Sequence, residues 1–135
     1  MPGIFVEPSI CVLKPEISIL GSGIDTTTIY SSYNFSTASG ANLDQASIRL
    51  VSTTPNTTGN QTISNLTIDG SGMVASRAVV VKNRGGVKVH HASIKDFFVG
   101  GLSFYNNGVF NDTPPAVYDT GNEVYSCIID NCGDH

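Results

Sequence analysis

The chain has 135 residues, enough for a single core, and carries a net charge of −4 with only 13% Asp, Glu, Lys and Arg. So few charges, alongside 14 glycines and abundant Ser, Thr and Asn, exclude a helical protein whose exposed faces are filled by Glu, Lys and Arg. No apolar run approaches the roughly 18 residues of a membrane span, the opening MPGIFVEPSICVLKPE lacks the pattern of a signal peptide, and the acidic balance argues against nucleic acid as a partner.

In chain order, residues 1–16 read as an N-terminal cap or lead-in. ISILGSGIDTTTIY at 17–30 predicts strand, turn, strand: Ile17 and Ile19 alternate, Gly21 and Gly23 permit a sharp bend, and Ile29 resumes the apolar face. SYNFSTASGANLDQ at 32–45 has the composition of a surface loop. ASIRLVS at 46–52 is a short strand with Ala46, Ile48 and Leu50 on one face, and TTPNTTGN breaks it. Further short strands are expected at 61–64, 66–69, 78–82, 87–90, 92–95, 101–105, 122–125 and 127–130. The stretch 106–121, with Pro114 and Pro115, reads as an inserted loop. No window keeps a 3.6-residue apolar period over three turns, so helix content is expected to be very low.

QTISNLTIDGSG at 61–72 and VKVHHASIKDFF at 87–98 superpose so that Ile63, Leu66 and Ile68 fall on Val89, Ala92 and Ile94. An offset of 26 residues containing short strands fits one coil of a parallel β-solenoid, in which equivalent residues stack and their offsets must recur. EVYSCIIDNCGD offers a third copy, with Ile128 expected in register with Ile94 and the added length supplied by the 106–121 loop. An antiparallel sandwich is the alternative, but only Asn107-Gly108 has the chemistry of a tight hairpin turn. Of the three cysteines, Cys127 and Cys132 either close a small turn or, with Cys11, pack into the core; core packing is the reading adopted. Five Asn-x-Ser/Thr triplets, beginning at Asn34, Asn56, Asn60, Asn65 and Asn111, are no more than chance supplies in such a composition.

ISILGSGIDTTTI, NLTIDGSG, ASIKDFFVGGLSF and YSCIIDNCGDH together resemble the pectin-lyase-like right-handed parallel β-helix superfamily, over roughly residues 12–135. The resemblance implies an all-β right-handed parallel β-helix of about four to five coils in one domain, fewer than complete members have, with truncation at the C-terminal end one explanation. It also implies a secreted or surface protein that handles extended polysaccharide, as the lyases, polygalacturonases, epimerases and phage tailspikes of that superfamily do.

Five of the seven Lys and Arg residues lie within 77–95, which predicts either a basic ridge following a polyanionic glycan or a solvated face balanced by neighbouring acids. Uronate lyases need a base for the C5 proton and a cation to neutralise the carboxylate. A lyase-like set would use Lys88, Lys95 and Arg84 as catalytic groups, with Arg77, Lys82, His90 and Tyr105 contacting substrate. Asp69, Asp96 and Asp130, at the ends of repeat strands, would hold Ca²⁺; the other reading for each is a carboxylate satisfying turn N–H groups. The Asp-Asp and Gly-His-Gly motifs of the polygalacturonase branch are absent. His90-His91 is not a metal motif, since neighbours on a strand point to opposite faces. Of the aromatics Tyr30, Tyr33, Phe35, Phe97, Phe98, Phe104, Tyr105 and Tyr125, most are assigned to the core, and exposed ones offer faces for sugar stacking. Two functions follow: an enzyme on an acidic glycan, or a non-catalytic glycan-binding or structural solenoid that associates end to end through an open coil.

Overall fold

The computed structural model describes residues 2–7, 9–32, 45–70, 77–106 and 118–133. Within them the chain forms β1 (Gly3–Glu7), β2 (Cys11–Val12), β3 (Ile19–Leu20), β4 (Thr27–Ser31), β5 (Ile48–Val51), β6 (Thr57–Asp69), β7 (Arg77–Lys82), β8 (Arg84–Phe97), β9 (Gly100–Tyr105), β10 (Glu123–Tyr125) and β11 (Ile128–Cys132), with no helix among the described residues. Among the described residues the protein is all-β and every strand pairing is parallel, which does not fit the antiparallel sandwich. Along the chain the strands alternate between two sheets. One has the order β1-β4-β6-β8-β10, with β3 also on β6 and β11 also on β8; the other runs β2-β5-β7-β9. Along each of these orders a strand bonds to the next strand of that order in the chain, while β3 and β11 pair with strands already in it. The lead-in is itself strand-bearing, with β1 on β4 and β2 on β5. The centre of the expected 106–121 loop lies outside the described residues.

The 26-residue offset is a hydrogen-bonded register: Ile63 pairs with Val89, Leu66 with Ala92 and Ile68 with Ile94. One register differs from expectation. Ile94 pairs with Ile129, and Ile128 sits opposite Ser93. In a pleated ladder a one-residue shift exchanges inward for outward; the Ile129 side chain shares the inner space beside Gly101 with Ile94 and Cys132.

The strands expected at 61–64 and 66–69 merge into β6, and those at 87–90 and 92–95 into β8. The junction within each merged pair is one residue with positive φ, Asn65 at 57° and His91 at 48°, and Ser126 at 53° holds the same place between β10 and β11. Gly21, next in line to the Leu20–Ser64 pair, stands at the same place without a positive φ. Left-handed backbone favours Gly and Asn, so the row explains their recurrence. A second row consists of Asn60, Gly86 and Gly121 at 46°, 71° and 72°. Between corners, inward residues of both sheets form one core, including Ile48, Leu50, Val79 and Val81 from one and Ile63, Leu66, Ile68, Val89 and Ile94 from the other. Burying each such side chain contributes about 1.5–3 kcal/mol. All three cysteines are free thiols packed against this core, as expected.

Candidate functional site

Arg84 is 3% exposed and faces inward at a corner. Its Nε donates to Ser52 Oγ at 2.8 Å, Nη1 to Leu13 O and Gln61 Oε1 at 2.7 Å each, and Nη2 to Val51 O at 2.9 Å. Gln61 Nε2 in turn donates to Lys14 O and Ile17 O, both at 2.9 Å. Burial lowers the pKa of Arg84, the direction a base requires, but its donors are spent on the fold and no substrate reaches them. Arg84 is a clasp holding residues 13–17 and 51–52 to the centre of the molecule.

The other basic candidates are dispersed as well. Arg77 is buried in β7, too enclosed for the substrate contact expected of it. Lys88 bonds Glu123 at 3.3 Å across the β8–β10 ladder. Lys95 bonds Asp69 at 3.0 Å, and register places Asp130 on its other side. The hydrogen bond and charge of Asp69, with the charges of Asp96 and Asp130, hold the Lys95 pKa above the usual lysine range, opposite to what a general base requires. An ammonium thus occupies the space among three carboxylates assigned to Ca²⁺. Asp96 also accepts from Asn131 Nδ2 at 2.7 Å. Among the described residues, no three His, Cys, Asp or Glu side chains are placed to hold a metal ion.

Lys82 and Tyr105 do meet, though on the second sheet, away from Lys88, His90 and Lys95. They pair in register across β7 and β9, with Lys82 Nζ 5.5 Å from the centroid of the Tyr105 ring. Beyond Tyr105 lies an open cleft of about 340 Å³ lined by Phe104, Tyr105, Asn106, Tyr118, Asp119, Asn122 and Val124. Phe104 is 36% exposed and Tyr118 60%, so ring surface is available to a ligand. The wall at 118–122 is anchored. Asp119 Oδ1 accepts from Asn56 N at 2.6 Å, Thr120 N donates to Asn56 Oδ1 at 3.1 Å, and Gly86 N donates to Thr120 O at 2.8 Å. Asn122 is fixed by accepting from Val87 N at 2.9 Å and donating to Arg84 O at 2.8 Å. Rings beside an acid and two amides suit a ligand with apolar faces and hydroxyl edges.

Of this cleft the sequence reading had Tyr105 alone as a contact residue. The available signal was the pair of polar-aromatic flanks FYNN and VYDTGN on either side of the proline-containing stretch. Phe97 is core as expected, whereas Phe98, Phe104 and Tyr125 are exposed. No helix among the described residues is long and apolar enough to cross a membrane. Comparisons with protein-family models, curated proteins and solved structures return no match.

Proposed function

We propose that this chain is a parallel β-helix of stacked coils that binds a polysaccharide without cleaving it. The observation that carries the reading is the anchored cleft with Phe104, Tyr105 and Tyr118 around it and Asp119, Asn106 and Asn122 in its lining. Alternation of parallel strands between two sheets, with partners one circuit apart, supports the coil architecture. The engagement of Arg84, Lys88 and Lys95 weighs against the lyase-like set. Among the described residues the cleft lining holds one acid and no cation, so a neutral, hydroxyl-rich saccharide suits it better than a polyanion. The test is affinity electrophoresis of the full chain in gels containing neutral or uronic-acid polysaccharides, with absorbance near 235 nm followed in parallel for elimination. Retardation by a neutral glycan is expected, without new absorbance, and Tyr118→Ala should weaken it about tenfold, the value of one well-stacked ring. New absorbance on a uronan would replace this reading with the lyase.

A second reading is self-association through edge strands, favoured by exposed Ile4 and Val6 on β1 and Ile128 and Ile129 on β11. Sedimentation that stays monomeric over a hundredfold concentration range would dismiss it.

A further inference from the structure

His90 and His91 lie on the same side of β8, contrary to strand alternation, because His91 takes the left-handed corner conformation at φ 48°. The two Nδ1 atoms are 2.9 Å apart, with ring centroids 5.1 Å apart and planes at 88°. His90 is held by stacking on Tyr125, centroids 4.8 Å apart and planes within 8°, while His91 is exposed and meets Tyr125 edge-on at 6.0 Å. Asn65 and Ser126 take the same left-handed conformation at the matching places of this row of corners. A strained corner that brings two ligand-type side chains together points to function.

We infer that His90 and His91 form a two-imidazole site for a divalent transition metal of tetragonal or octahedral preference, Cu²⁺ or Ni²⁺. Bonds of about 2.0–2.1 Å at right angles place two nitrogen ligands about 2.9 Å apart, which is the separation present. Which Nδ1 donates across this contact depends on the tautomer. With both rings carrying their hydrogen on Nε2, both Nδ1 lone pairs are open to an ion placed to one side of the line between them. The exposed His91 ring turns toward the ion while Tyr125 keeps His90 fixed. Water completes the coordination, and imidazole donors without a carboxylate cluster disfavour Ca²⁺ and Mg²⁺.

The test uses Ni²⁺, which does not oxidise the three thiols, in calorimetric titration of the full chain, with paramagnetic broadening followed in the NMR spectrum. One ion per chain is expected, with the ring resonances of His90 and His91 lost first. His91→Asn keeps a residue suited to the corner and removes the imidazole. It should stay folded and weaken binding on the order of 10²-fold, the loss of a second tethered ligand. His135→Ala should leave the affinity unchanged. Absence of Ni²⁺ binding, unchanged affinity in His91→Asn, broadening centred on other residues, or equal binding of Ca²⁺ would each overturn the site. None of these outcomes bears on the saccharide cleft, whose residues are different.

Discussion

A buried guanidinium has five N–H donors to satisfy, and Arg84 reaches four neutral acceptors contributed by residues 13, 51, 52 and 61. Arg84→Met would strand those acceptors, at a cost of about 3 kcal/mol. Arg84→Lys would not rescue them, since an ammonium cannot reproduce the fork. Urea unfolding checks this: a midpoint within experimental error of the parent for either variant would show that the clasp does not stabilise the fold. The cluster of basic residues at 77–95 was legible in sequence, but the direction of each side chain was not. Alternation restarts at each left-handed residue, so counting by twos from Val81 fails once Asn83, at φ 58°, intervenes. The same restart put His90 and His91 on one side.

At the scale of the elements, the period survived translation into structure better than the boundaries did. Ile63, Leu66 and Ile68 found Val89, Ala92 and Ile94 because a buried inward face on both strands leaves little freedom of register. The third copy slipped by one because β10 and β11 both pair with β8 at an offset of 35 residues, and apolar Ile128 and Ile129 are adjacent, so pattern alone cannot choose between them. β1 and β2 were missed since each is only an edge, with no alternation long enough to read. Two substitutions probe the stack. At Gly21 a Cβ would run into the Asn65 carbonyl oxygen and lie 2.8 Å from Leu66 Cβ, so Gly21→Ala should loosen β3 from β6. Hydrogen exchange should then accelerate in 19–31 while the Ile94 amide stays protected; uniform exchange across both would contradict the local role. Ile94→Ala, in the fully buried centre, should cost about 2–5 kcal/mol in chemical denaturation.

For the whole molecule, titration sets one side of the stability range. The Cys11 and Cys132 thiols are raised chiefly by burial, and the Lys95 ammonium is raised chiefly by its hydrogen bond to Asp69. For each, the folded pKa exceeds the unfolded one, so the stabilisation is complete below the unfolded pKa and is lost as pH rises through the folded value. Melting temperature should therefore hold up to about pH 8.5 and then fall in two stages, thiols first and Lys95 above about pH 10.4. Lys95→Met should remove only the later stage, and a curve that falls at pH 8 with or without that change would refute the assignment. The stacking distance has a consequence of its own. His90 and Tyr125 sit 4.8 Å apart, the ordinary spacing of hydrogen-bonded strands, so the backbone and not the rings sets that distance. Any two groups on successive rungs are clamped at the same spacing, and two like charges there would be held in permanent repulsion. Asp69, Lys95 and Asp130 alternate in sign along one rung, and Lys88 and Glu123 along another. The residue paired on the neighbouring strand thus dictates which charge a position will accept, a grammar written across the sheet and invisible to a reader who moves only along the chain.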